Sequence, residues 1–324
     1  MPGTRERASE WLTQALVLGR DVQRVTRSAL GALKAQRAPA FELEGDARCG
    51  PLTLRYRGAE AHLLDVERLF FTGPVRRRPS LSGTVDVDVE EAFPWQVSDG
   101  RLLVVQPWLD ARCQPTDAEA WFKDGVNSDV RRKIKKSQQL GLVARRTTSR
   151  EDAARFYRDM LEPMARARFG EATTYGSLES FLSFNGRTAS TEVVFLARDG
   201  VDVAAVSLIS SPARGEVRVW AYGMLPGFLE DPKQRADLMA ALNVESVKRA
   251  VAQGLALNFG FTRPFADDGV QIYKTRWGAT LVPAPLVVRL AARFTTRAAQ
   301  ARFVAAAPLQ HVTVRGVELV APSA

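Results

Sequence analysis

Residues 254–278 read GLALNFGFTRPFADDGVQIYKTRWG, and this stretch gathers the side chains best suited to chemistry. Arg263, Asp267 and Asp268 share one polar loop. A guanidinium there can clamp an anionic substrate, and a carboxylate can accept a proton from an amine. The same loop can also close on itself as a salt-bridged turn with Gly269 as a hinge. Tyr273, Lys274 and Trp277 follow on one short helix, where the aromatics suit packing anchors or a pocket edge. A second concentration of charge is Arg131, Arg132, Lys133, Lys135 and Lys136. It can track the phosphates of RNA or a polyanionic sugar, or it can be a solvated helical face. No aromatics interleave with it, which argues against base stacking on this helix.

Composition narrows the chemistry. The 324 residues carry 45 Lys plus Arg against 36 Asp plus Glu, a net charge of +9, and 46% are hydrophobic. The chain is long enough for two domains with packed cores, and its basic balance favours anionic partners. Cys49 and Cys113 are the only cysteines and form no CxxC pair. His62 and His311 are the only histidines and read as surface or strand-end residues. A zinc site, a disulfide framework and a His-based triad therefore lack material, and no metal site is expected. Arginines interrupt every apolar run well short of about 20 residues, and no signal peptide is evident. The expectation is a cytoplasmic protein, soluble or peripheral at the inner face of the membrane.

The elements that must position these groups follow from periodicity. Residues 9–34 place Trp11, Ala15, Leu18, Val22, Val25 and Ala29 on one helical stripe opposite Arg20, Arg24 and Arg27. That helix can pack on its own protein, meet a partner or lie on an anionic membrane. Strands are expected at 53–56, 61–66, 84–89 and 102–106, with Arg76, Arg77, Arg78 and Pro79 as a basic turn. A helix over 118–141 carries Phe122, Val126, Val130 and Ile134 on one row, before a strand at 142–146. Ser149 and Asp152 approximate a capping box opening a helix that Pro163 kinks or ends, and a short helix follows at 178–184. The clearest local signal is a hairpin of 193–197 and 203–209 through Asp199 and Gly200. A strand at 217–222 follows. Asp231 as N-cap and Pro232 at the first turn launch a helix that Gly254 ends, and a strand then runs over 255–259. The last strand falls at 280–288. This order predicts an α+β, mixed α/β architecture with a mixed sheet flanked by helices. Cuts after 115 and 290 give an N-terminal domain, a central domain and a C-terminal helix and strand extension.

The order of elements over 118–288, and the residues that fill them, resemble the GNAT acyltransferase superfamily and its Fem-related branch. The pieces that carry the resemblance are the basic helix ending in Gly141 and Leu142, and the strand Phe195-Leu196-Ala197 before Asp199-Gly200. Two more are Gly254 leading to Phe259-Gly260, and Tyr273-Lys274 with Trp277-Gly278. The resemblance implies two tandem GNAT-like halves, the first degenerate. It implies transfer of an acyl group from an acyl-CoA-type donor to an amine or hydroxyl of a small-molecule, peptide or polysaccharide acceptor. Aminoacyl-tRNA is the alternative donor. No cofactor is held tightly in either case, the donor being a co-substrate. In such folds the strands at 217–222 and 255–259 splay and offer backbone N–H groups to the donor carbonyl.

By the same resemblance Lys274 lies near the transfer centre, as a charge stabiliser or phosphate ligand; Asp268, read from its place in the polar loop, is the second catalytic candidate, able to accept an amine proton. A surface helix lysine is the other reading of Lys274. Arg263, Asp267, Tyr273, Trp277, Arg131 and Arg132 are candidate substrate contacts. Tyr222, Lys233, Arg235, Asn258 and Gly260 are candidate donor contacts. One segment departs from the pattern. Residues 224–234, MLPGFLEDPKQ, hold one glycine and two acids where CoA-dependent members have a glycine-rich pyrophosphate loop. Glu230 and Asp231 would repel a pyrophosphate, which Lys233 and Arg235 could offset. A competing reading is a non-catalytic protein that uses this fold and its basic helices to bind RNA or a membrane surface.

Overall fold

The computed structural model describes residues 40–79, 84–92, 98, 102–169, 177–187, 191–284, 287–313 and 316–319. The helix expected over 9–34 lies outside them. The chain divides into two compact units that interleave in sequence. The first draws on Met1–Asp110, Phe261–Ile272 and Leu281–Ala324, and the second on Ala111–Gly260 and Tyr273–Thr280. The segment after residue 290 thus belongs to the first unit, whereas the cuts read from the sequence are linear.

The first unit opens with an antiparallel pair, β1 (Ala40–Ala47) and β2 (Gly50–Arg57). Residues 61–66, expected as a strand, instead form a 3-10 turn, Glu60–His62, and helix α1 (Leu63–Phe70). Leu63, Val66, Leu69 and Phe70 are its buried residues. Their spacing of three and four extends beyond the short window in which a strand period also fitted, so the helical face wins. The expected basic turn is also corrected, because Val75–Pro79 forms strand β3 against β1. Ion pairs from Arg77 to Glu67 and from Arg78 to Glu42 hold this arginine-rich edge. Strands β4 (Val87–Glu91) and β5 (Leu102–Val105) complete the first part of the sheet.

The second unit begins within β6 (Leu109–Cys113). The single helix expected over 118–141 is interrupted: a turn at Ala118–Ala120 widens into a π-helical turn, Trp121–Gly125, before α2 (Ser128–Gln138). The Asn127 side chain accepts from the Val130 N–H at 3.0 Å and restarts the helix as an N-cap. The row Phe122, Val126, Val130 and Ile134 is buried throughout. Strand β7 (Val143–Thr147) leads to α3 (Arg150–Phe156), which Ser149 caps through the Asp152 N–H. Pro163 does not end the helix. A π turn at Tyr157–Leu161 widens the chain just ahead of it, and α4 (Glu162–Phe169) continues.

Helix α5 (Leu178–Arg187) precedes the hairpin β8 (Thr191–Arg198) and β9 (Val201–Ser211), whose turn residues Asp199 and Gly200 both have positive φ. Strand β10 (Glu216–Met224), helix α6 (Pro232–Gln253), strand β11 (Ala256–Thr262), helix α7 (Gly269–Arg276) and strand β12 (Thr280–Pro283) follow. The strand expected over 280–288 stops at Pro283. The chain ends in the first unit with β13 (Leu290–Phe294), α8 (Arg297–Ala306), β14 (Gln310–Thr313) and β15 (Gly316–Leu319).

The sheet orders are β3-β1-β2-β4-β13-β5 and β12-β6-β11-β10-β9-β8-β7. Both contain parallel and antiparallel neighbours, so the α+β mixed-sheet class expected from the sequence is the observed one. In the first unit Leu43, Leu54, Tyr56, Phe70, Val105 and Phe303 are among the core residues. In the second, α6 packs against β8, β9 and β10, and the α3 to α4 segment packs against β8 and β10. Alternation along β10 separates these layers. Ala221 joins the cluster of Phe156, Met160 and Phe195, while the neighbouring Tyr222 reaches α6. Gly223 lies on the Ala221 side, where a Cβ would come within 2.8 Å of Met160 and Phe156.

Candidate functional site

The site grows from the way β10 and β11 part. Strand β10 pairs antiparallel with β9 from Glu216 to Met224, with a bulge between Val219 and Ala221. Its parallel pairing with β11 covers only Glu216, Val217 and Arg218, opposite Ala256, Leu257 and Asn258. Past that point the two strands form a fork. A bulge increases local twist and re-aims the strand, which is what turns β10 away from β11.

Asn258 locks the base of the fork. Its Oδ1 accepts from the Gly260 N–H at 2.8 Å, and its Nδ2 donates to Glu216 Oε2 at 3.1 Å. A side chain therefore takes up a β11 amide at the place where ladder pairing stops. Gly260 adopts φ +78°, and a Cβ there would come within 3.2 Å of the Val219 carbonyl oxygen. Only glycine meets both conditions without strain. Glu216, itself buried, lies 3.4 Å from Arg112 Nε and 3.9 Å from Arg218 Nη1. The carboxylate is compensated by two guanidiniums, as a buried charge requires.

A chain of polar groups runs from the fork through α6 to α7. The Tyr222 hydroxyl donates to Asn243 Oδ1 at 2.6 Å, and Asn243 Nδ2 donates to the Tyr273 hydroxyl. Asn243 is fully buried on α6. Burial pushes the Tyr273 phenol well above its ordinary value, so it stays protonated through neutral pH. Having accepted from Asn243, Tyr273 keeps its own O–H to donate onward. Lys274, the next residue, is only 7% exposed, which excludes the surface-lysine reading. Trp277 is a packing anchor. It is 1% exposed and lies against Phe259 and Tyr273 with ring centroids 6.3 and 6.5 Å away.

The remaining candidates occupy other places. Asp231 caps α6, accepting from the N–H groups of Lys233 at 2.8 Å and Gln234 at 3.4 Å. The first amides of this helix, where a pyrophosphate would bind, already face a carboxylate. Lys233 is exposed, and Arg235 turns back to the Leu229 carbonyl at 3.0 Å. Arg131 donates to the carbonyls of Lys123 and Val126, closing the π turn, and Arg132 pairs with Asp129. Lys135 and Lys136 are exposed.

The acidic loop is divided between two structural tasks in the first unit. Asp268 caps α7 through the N–H groups of Val270 and Gln271, both at 2.9 Å, and Asp267 pairs with Arg48 at 2.6 Å. Arg263 lines a cleft in that unit. Arg263, Asp267 and Asp268 thus belong to the first unit, and Lys274 and the fork to the second. Among the described residues no group of three or more His, Cys, Asp or Glu could hold a metal ion.

Sequence reasoning missed Glu216, Arg112 and Asn243. Of these only Asn243 left a signal, as a polar residue beside Leu242 on the inward face of α6. It also missed a cluster in the first unit. Glu91 Oε1 accepts from Tyr56 at 3.1 Å and from the Ala59 N–H at 2.7 Å, and lies 2.9 Å from His62 Nδ1. His62, read as a surface or strand-end residue, is an ion-pair partner on a helical turn.

No family model matches the sequence, and no curated protein matches it significantly. Among solved structures, FemX is similar over 58% of this chain and 62% of its own, with 12% identity and a TM-score of 0.45. The chain therefore spans less than two thirds of FemX. The C-terminal domain of a candidate lysylphosphatidylglycerol synthetase from Agrobacterium fabrum is similar over 87% of this chain and 94% of its own, with 15% identity and a TM-score of 0.41. L-PGS from Bacillus licheniformis covers 84% of this chain and 86% of its own, with 10% identity and a TM-score of 0.40.

Proposed function

We propose that the second unit transfers an acyl or aminoacyl group directly from an activated donor to an amine or hydroxyl. The observation that carries this reading is the fork between β10 and β11, locked open by Asn258 and Gly260. In it the donor carbonyl lies against β10 beyond Val219 and accepts from backbone N–H groups. The acceptor nitrogen or oxygen attacks the carbonyl carbon, and the developing oxyanion is held by those fixed donors. Collapse breaks the bond to the donor and expels its alcohol or thiol, which takes a proton from the Tyr273 hydroxyl, while the Tyr273 oxygen receives the proton that the attacking amine or hydroxyl loses, so no net charge stays on the phenol. The buried ammonium of Lys274 lowers the energy of the negative charge formed. No covalent enzyme intermediate is required.

Aminoacyl-tRNA is the donor we favour. Asp231 occupies the amides at the start of α6, so a pyrophosphate would have to displace a carboxylate. The exposed Lys135 and Lys136 suit a phosphate backbone. An acyl-CoA donor is the second reading, and the exposed Lys233 beside the same helix start is what favours it.

Incubating the full chain with labelled aminoacyl-tRNA and, separately, with labelled acyl-CoAs tests both. The expected result is label transfer to a model amine from the tRNA donor, lost in Lys274→Met. Consumption of neither donor overturns the transferase reading, and consumption of acyl-CoA alone reverses the choice of donor.

A further inference from the structure

A cleft formed by described residues lies wholly within the first unit and takes no part in the transfer chemistry proposed above. It encloses about 500 Å³, a volume typical of small-molecule sites. Its apolar wall comes from Leu69, Phe70, Phe303 and Ala307. Its polar side carries three arginines and one carboxylate, Glu67. Arg48, Arg68 and Arg263 line it, and Arg68 and Arg263 also line a smaller recess beside Trp108 and Pro264. These two arginines therefore stand at the neck the two spaces share.

Three features make this a preorganised site for an anion. Arg48 is held in place, with its guanidinium carbon 4.4 Å from the Phe265 ring centroid and Nη1 2.6 Å from Asp267. The carboxylates in the neighbourhood are engaged: Glu67 by Arg77 and Asp267 by Arg48, while Asp65 accepts from Trp108 Nε1 at 3.3 Å. The cleft also has an apolar lip. Leu64, one of the few large hydrophobic side chains exposed among the described residues, lies on its rim with 48% of its surface open.

A cationic neck, an apolar floor and an apolar lip fit an anionic amphiphile. We propose that this cleft binds a phosphate monoester carried on an apolar body. Arg68 and Arg263 take the phosphate oxygens, since guanidiniums match phosphate geometry better than ammonium groups do. The apolar body lies along Phe70 and Phe303 and leaves over Leu64. The inference does not depend on the transferase reading, because it is tested by binding alone.

The probe is decyl phosphate in solution, with inorganic phosphate and decanol as controls, titrated calorimetrically into the full chain. Decyl phosphate is expected to bind saturably and on the order of tenfold tighter than either control. Arg68→Gln combined with Arg263→Gln should remove that margin over decanol, and Leu64→Asn should narrow the margin over inorganic phosphate. Both arginines are exposed, and an unchanged melting temperature shows that the double variant is folded. Vesicles of phosphatidylcholine with and without phosphatidic acid separate the two sources of such a ligand. Retention on phosphatidic acid that needs both arginines identifies a bilayer lipid, and binding confined to soluble decyl phosphate identifies a free ester. Equal affinity for decanol and decyl phosphate overturns the proposal, as does undiminished binding by the folded double variant.

Discussion

Lys274 and Tyr273 are adjacent on α7 and differ in what removing them should do. Lys274→Met keeps the length of the side chain but deletes a buried charge that has a partner, so some loss of stability is expected. Transfer measured in a single turnover should also fall by about 10² or more if the ammonium faces the developing oxyanion. Unchanged turnover in a folded variant would remove this lysine from the reaction. A second residue-scale prediction concerns His62 and Glu91. The bond to Glu91 raises the His62 pKa against the opposing effect of burial. For Glu91 burial pushes upward, but the bonds from His62, Ala59 and Tyr56 outweigh it and leave the pKa lowered. A raised histidine contributes stability that is complete below its ordinary 6.5 and is lost as pH rises through the folded value. A lowered carboxylate contributes above its ordinary 4.5 and loses its contribution as pH falls through the folded value. The pair is therefore fully effective between those two ordinary values. His62→Gln should lower the melting temperature most between those two ordinary values and progressively less as pH rises through the raised His62 pKa. A deficit independent of pH would show that His62 acts only by packing.

At the scale of elements, the fork and the start of α6 make separate predictions. Asn258→Ala leaves the Gly260 N–H without this partner and Glu216 Oε2 with Arg112 but no amide donor. The expected cost is about 1–3 kcal/mol in chemical denaturation, together with a loss of transfer activity. A stable variant of full activity would mean that the fork does not need this lock. Asp231→Ala removes an N-cap and should cost about 1 kcal/mol. It also frees the amides of Lys233 and Gln234. If the donor is aminoacyl-tRNA its affinity should be nearly unchanged, whereas an acyl-CoA donor should bind more tightly once the carboxylate is gone.

At the scale of the molecule, the net charge of +9 favours anionic partners. Arg131 and Arg132 are exposed but engaged within their own segment, and Lys135 and Lys136 are further exposed cations of α2. Lys135→Gln with Lys136→Gln should weaken charged-tRNA binding and reduce the slope of log affinity against log salt by up to about two. A slope that does not change would place the RNA contact elsewhere. Among the described residues no helix is long and apolar enough to cross a membrane.

Local features were legible in the sequence wherever a signal is complete within a few residues. The Asp199-Gly200 hairpin, the Ser149 and Asp231 caps, the Gly254 stop and the buried row of Phe122 to Ile134 depend only on turn chemistry and periodicity, and all are present. The order of elements carried the α+β class for the same reason. Where two periods fitted one short window, as at residues 61–66, only packing decided for a helix. The Arg76 to Pro79 strand was hidden because its edge depends on carboxylates from β1 and α1, remote in sequence. The stretch 254–278 was singled out whole, yet its parts belong to different units, because a chain that passes back and forth leaves no composition boundary. Sequence alone put Asn258 on the strand that follows Gly254, and Tyr273 and Lys274 on the short helix after the polar loop. Tertiary structure decided that Lys274 is buried, that Asp268 is a cap, and that β10 leaves β11 after three residues. Each of these is settled by partners that only folding brings together.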